Sequence, residues 1–218
     1  FLVISIISKM ATKWGKRNAF LISTLLSIIG YSLKWWGFDI ELNNSFNQTS
    51  FAQGLNNIVA TIFDFLNPFL ESVGMTWFSI DVSNGIPWLI FVPIPLFAFG
   101  MGGLFTLMMS MTADVCDLDE LNNGMPRKEG TFGAIYWWMV KLGQALAIIL
   151  SGVILKVVGF DQNTTVQSIE TMTRLRIADI IVPATTAALA MLVMWNYSLS
   201  EKRAKEIKEE LVKRRGEL

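Results

Sequence analysis

The sequence contains no histidine and one cysteine, Cys116. That excludes histidine-based acid–base catalysis, a Cys/His zinc site and an internal disulfide. No nucleophile stands paired with a base, so no enzymatic reaction, metal or cofactor is expected. Basic residues are missing from a whole stretch: residues 37–87 hold Asp39, Glu41, Asp64, Glu71 and Asp81 but no lysine or arginine. By the positive-inside rule that stretch belongs on the non-cytoplasmic side. Net charge is absent too, with 18 basic and 18 acidic residues, and nothing in it points to nucleic acid. What is abundant is apolar surface. At 52% hydrophobic the chain is too apolar for an ordinary soluble domain of 218 residues, and it is expected to be an all-α membrane protein in contact with a lipid bilayer.

The opening run FLVISIIS is too short to span, and it reads as the end of a helix over residues 1–8 whose beginning lies upstream. Residues 9–18 carry Lys9, Lys13, Lys16 and Arg17 with no acid, the signature of a cytoplasmic loop. Residues 19–36 are long enough for one span and end on Lys34, Trp35 and Trp36 as interface anchors. Within residues 37–87, apolar positions from Leu55 to Leu70 recur at helical spacing, predicting an amphipathic helix on the outer surface or capping the bundle rather than a further span. The glycosylation pattern starts at Asn43, Asn47 and Asn163, on segments expected outside, and is short enough to arise by chance.

A second span is expected over residues 88–111, with Pro93 and Pro95 and then Gly100, Gly102 and Gly103. These glycines suit either close helix packing or a hinge. A charged cytoplasmic loop follows over residues 112–131, then a span over 132–158, an outer connection over 159–176 and a last span over 177–198. Asp179 would lie in the first turn of that last helix, where a carboxylate favours the N-terminus. Residues 199–218 form a charged cytoplasmic tail with seven basic and five acidic side chains, expected as a solvated helix near anionic lipid.

One charge lies deep in an apolar run. Lys141 sits near the middle of the third complete span, where a lysine costs roughly 2.5–3.5 kcal/mol and usually faces a bundle interior or a watery path. Trp137, Trp138, Lys141 and Gln144 share one side of that helix. The structural alternatives are a snorkelling lysine and tryptophans that merely pack or anchor.

Gly15, Lys16 and Arg17 ahead of a span resemble the cytoplasmic loop motif of the major facilitator superfamily. More specifically, Ala113, Asp114, Cys116, Asp117, Glu120, Gly124, Arg127, Lys128, Glu129 and Gly130, followed by Lys141, Gly143, Gln144 and Ala145, resemble the glycoside-pentoside-hexuronide:cation symporters, the melibiose permease family. The resemblance covers the chain apart from residues 37–87. It implies the C-terminal six-helix half of a transporter, from the end of helix 8 to helix 12, with an extracytoplasmic insertion. It implies that the coupling cation, Na+ or H+, binds mainly in the N-terminal half, absent here, and that the membrane is the bacterial inner membrane.

By the same resemblance, Lys141, Trp137, Val140 and Phe105 fall near the sugar, with Trp138 and Gln144 on the adjoining face; Trp137 and Phe105 replace a polar residue and a tryptophan of melibiose permease. Asp114, Asp117, Arg127 and Glu129, with Lys16 and Arg17, match a charged network expected to close a cytoplasmic gate. The implied function is symport of a sugar, glycoside, pentoside or hexuronide by alternating access. The alternatives are an amphiphile carrier of the same fold and a truncated, non-transporting homologue with a sensing or partner role.

Overall fold

The computed structural model describes residues 2–74, 86–124, 127–164 and 166–216. Among them there is no strand. The helices are α1 (Leu2–Trp14), α2 (Lys16–Gly37), α3 (Ile40–Asn47), α4 (Ser50–Ser72), α5 (Ile94–Asn123), α6 (Glu129–Val158), α7 (Ile169–Trp195) and α8 (Glu201–Gly216), with one 3-10 turn at Trp88–Ile90. Four stretches are long and apolar enough to cross a membrane: Lys16–Gly37, Trp88–Asn123, Glu129–Val158 and Ile169–Trp195. They are the four complete spans read from the sequence, and the protein is an all-helical integral membrane protein.

Several boundaries move, each for a local reason. The expected basic loop over residues 9–18 is almost entirely helix, because α1 runs to Trp14 and α2 starts at Lys16. Gly15 alone breaks the run, at φ +84°, a conformation glycine adopts without strain. The expected charged loop over 112–131 is likewise mostly α5, which continues to Asn123 and stops at Gly124, φ +78°. No proline or glycine interrupts residues 112–123, so charge alone does not end the helix. The expected outer connection of 159–176 shrinks from its far side: Ser168 caps α7, accepting from the Thr171 N–H, and Glu170 pairs with Arg174 at 2.5 Å one turn on. Asp179 is therefore ten residues into α7 and does not cap it. Pro93 and Pro95 lie within the Trp88–Asn123 stretch but do not interrupt α5, which begins at Ile94; they flank its first residue, where a missing N–H is harmless.

The chain divides into two compact units, residues 32–95 and residues 1–31 with 96–218. In the larger unit, Ile7 and Ala11 of α1, Ala19 and Phe20 of α2, Leu107 and Met111 of α5 and Met194 of α7 form the core. Lipid offers no hydrophobic drive to bring helices together, so close backbone approach has to supply the attraction. The glycines of α5 provide it. A Cβ at Gly100 would strike Ser27 and one at Gly103 would strike Ser23, both on α2. The two serine hydroxyls donate to carbonyls of their own helix, Phe20 at 3.0 Å and Thr24 at 2.8 Å, so neither is left unpaired in the contact. Of the two roles the sequence allowed these glycines, the structure displays packing. In contrast, α6 packs against α7 and buries only Val158.

In the unit of residues 32–95, asparagines do the joining. Asn43 donates to the Gly37 and Asp39 carbonyls, each at 2.8 Å, and accepts from the Leu89 N–H at 3.2 Å. Asn47 donates to the Ile86 carbonyl, and Asn56 accepts from the Trp88 indole N–H at 2.8 Å. Buried in this role, Asn43 is no sugar acceptor. α4 covers the predicted 55–70 helix and is not one of the membrane-crossing stretches. The expected acid Asp81, and Thr165 of the third glycosylation pattern, lie outside the described residues.

Candidate functional site

The last three turns of α5 place Asp114, Asp117 and Glu120 three residues apart, on one face of the helix. All three are buried, at 3%, 5% and 3% exposure. A buried carboxylate is tolerated when it is paired and hydrogen-bonded, and cations from three directions do this. Lys16, at the start of α2, forms an ion pair with Asp114. Lys208 of α8 donates to the other Asp114 oxygen at 3.0 Å and lies 4.0 Å from Asp117. Arg127, in the link to α6, reaches Asp117 at 2.9 Å and Glu129 at 2.7 Å. Arg215 of α8 grips Glu120 with two bonds, 3.1 and 2.6 Å.

Apolar contact holds α8 in this register. Ile207 and Leu211 are buried against Leu118 and Leu121 of α5 and Leu199. Arg214 donates at 3.0 Å to the Leu121 carbonyl, one of the acceptors that the end of α5 leaves without a helical partner. The tail is thus not a solvated helix. The sequence masks this because its three buried residues, Ala204, Ile207 and Leu211, form a narrow stripe among twelve charges in residues 201–218. Five of the expected gate residues, Lys16, Asp114, Asp117, Arg127 and Glu129, come together in this network. Arg17 does something else: its guanidinium lies over the Trp195 ring, 5.8 Å from the centroid. The sequence reading places Glu120 in the family motif but not in the gate, and omits Lys208 and Arg215. The three-residue spacing from Asp114 was the signal for Glu120; for the two cations no local signal exists, because they lie more than ninety positions from their partners.

The electrostatics follow from these contacts. The hydrogen bond to Asp114 is the main cause that raises the Lys208 pKa above its ordinary value. Burial, with Asp114 and Glu201 nearby, pushes the Tyr197 phenol up to about 12. Its hydroxyl has no hydrogen-bond partner, and it borders a cavity of about 320 Å³ that Lys13, Lys16, Asp114 and Ser200 also line.

The second constellation lies on α6. Lys141 is about 18 Å from the first residue of that helix, by its twelve-residue offset from Glu129. Its ammonium donates to the Gln144 side-chain oxygen at 3.3 Å, which puts the two on one stripe as the spacing predicted. Trp137 and Trp138 expose about half or more of their surface, Tyr136 meets Trp137 edge-on at 5.3 Å, and Val140 is half-buried. Together these side chains can offer aromatic faces and hydrogen-bond donors to one ligand. Phe105 is exposed on a different helix, α5.

Comparison with known proteins gives this architecture relatives. A family described as MFS/sugar transport protein matches residues 1–201. The chain is 25% identical over 206 residues to the "Glucuronide carrier protein homolog" of Escherichia coli K12, covering 94% of this chain and 35% of that protein. It is 30% identical over 128 residues to the "Putative glycoside/cation symporter YagG" of the same strain, covering 59% of this chain and 28% of that one. With the "Putative sulfoquinovose importer", also of that strain, it shares 34% identity over 119 residues, 54% of this chain and 25% of the other. The chain therefore spans about a third or less of the length of these relatives. No solved structure matches it.

Proposed function

The chain belongs to the MFS/sugar transport protein family, and from that premise we propose that it forms the C-terminal half of a sugar:cation symporter. It works with an N-terminal half that carries most of the site for Na+ or H+. The substrate binds between the two halves, and rocking of one half against the other exposes it to each side in turn. The membrane is the bacterial inner membrane, with α8 and the C-terminus in the cytoplasm.

The observation that carries this reading is a lysine at mid-span beside an amide and two exposed indoles. Trp137 and Trp138 present flat apolar faces for a sugar ring, and Gln144 and Lys141 present donors for its hydroxyls. A bare ammonium at this depth is costly unless a cavity or an anion offsets it. That favours a sugar bearing an acid group. Two relatives are named for such cargo, a glucuronide and sulfoquinovose, and we assign this chain to the same class. Phe105 and Val140 complete the apolar lining.

The network on α5 is the cytoplasmic gate. Its carboxylates are buried while Lys208, Arg127 and Arg215 stay partly exposed, so a conformational change has to exchange one cation for another rather than leave a carboxylate bare. α8 braces the carboxylates from below. Uptake of labelled glucuronides and neutral glycosides into vesicles, by the two-half transporter at low and high sodium, tests the proposal. Saturable, cation-stimulated uptake of the acidic sugars is expected. Uptake of lysolipids with none of any sugar would replace it with the amphiphile carrier.

A further inference from the structure

We infer that α4 is an interfacial helix that lays one apolar face into the lipid surface. Three faces can be read along it. Ala52 and Asn56 face inward, Ala52 fully buried and Asn56 bonded to Trp88. Gln53, Asn57, Thr61, Asp64 and Glu71 form an exposed polar face. Between them run Phe51, Leu55, Ile58, Ile62, Phe65 and Phe69, alternately four and three residues apart, which puts them on a single stripe. Apart from the half-buried Leu55 that stripe is bare: Phe65 is 82% exposed, Phe51 and Phe69 about two-thirds. Exposed to water, such a continuous row would be an association hazard.

Lipid is the occupant the structure favours, because the helix is tied to the ends of membrane spans, directly at Trp88 and through α3 at Gly37. Asn43, at the heart of this unit, bonds to the Gly37 carbonyl, the last residue of the span α2. Asn56 holds Trp88, the first residue of the next membrane-crossing stretch. Trp35, Trp36 and Phe91 in the same unit are exposed aromatics of the kind that sit at headgroup level. Bonded to one span end by Asn56, and by the Asn56 to Asn47 hydrogen bond to the helix α3 that Asn43 ties to the other, α4 stays within reach of that level. Charge narrows the lipid class. With five acids and no base in residues 37–87, the segment has no attraction for anionic headgroups, so its affinity is apolar and suits a zwitterionic surface.

Site-directed spin labels in phosphatidylcholine vesicles test this, using the transporter in a Cys116→Ser background. Labels at Ile58, Ile62, Phe65 and Phe69 are expected to favour oxygen over a water-soluble nickel chelate. Labels at Asn57, Thr61 and Asp64 are expected to show the reverse, giving a helical period. A label at Met101 in the span α5 is the control for membrane insertion. If Met101 reports lipid while the stripe is open to the chelate, the inference is overturned. Immobilised stripe labels protected from both reagents would also overturn it, in favour of protein cover such as a second copy of the chain.

Discussion

The C-terminal end of α5 and the middle of α6 both place charge inside membrane-crossing helices, and they treat it in opposite ways. At the end of α5, three buried carboxylates each find cations from this chain, and α8 seals the arrangement with Ile207 and Leu211. On α6, Lys141 donates to a neutral partner, Gln144, on a helix that buries only its last residue. The first region is a finished structure. The second, on the function proposed here, is half of a site. Charges that stabilise are satisfied locally, and charges that bind cargo are left with capacity.

The contrast can be broken from the α5 side first. Ile207→Asp puts a carboxylate into the fully buried position beneath α5, beside acids that already need every available cation. It should release α8 altogether, seen as loss of amide-exchange protection across residues 201–216. Val212→Asp, on the exposed side of the same helix, should leave protection intact. Smaller is the effect of Asp114→Asn, which leaves Lys16 and Lys208 facing a neutral amide. A loss of about 1–3 kcal/mol is expected in thermal or denaturant unfolding. A similar or slightly smaller loss, about 1–3 kcal/mol, is expected for Gly103→Ala through its collision with Ser23, and Ser23→Gly in the same chain should recover part of it. Gly143→Ala, on open α6, should change stability by no more than about 1 kcal/mol.

The smallest effect is on the alkaline limb of stability. Lys208 has a folded pKa above its ordinary 10.5, so its contribution is complete below pH 10.5 and is lost as pH rises through the folded value. Tyr197 acts in the same direction, because the folded state keeps its proton up to about 12 while the unfolded phenol ionises near 10.0. Stability should therefore fall above about pH 10, and Tyr197→Phe should flatten the fall. No change in slope between wild type and that variant would remove Tyr197 from the account.

How far the sequence revealed this follows from the range of each signal. Span number, the mid-helix lysine and the helix within the insertion are local patterns of hydropathy and period, and all were legible. Helix ends were not, because a run of charges looks like a loop when its partners are out of view: residues 112–123 stay helical since Asp114, Asp117 and Glu120 face cations brought by α2, α8 and the Arg127 link. The docking of α8 was hidden for the same reason. Its stripe of Ala204, Ile207 and Leu211 gains meaning only beside Leu118 and Leu121. Nothing in the sequence marks Asn43 as a buried clamp, because its partners at Gly37 and Leu89 come together only in the fold.

The most direct test of the central claim is uptake of a labelled glucuronide into vesicles by the complete two-half transporter, wild type beside Lys141→Ala, at low and high sodium. The account predicts saturable uptake in the wild type and a loss of at least about tenfold in the variant, equivalent to about 1.4 kcal/mol or more, with α8 still protected. Normal uptake by Lys141→Ala would contradict it, and so would a folded wild type that carries no sugar.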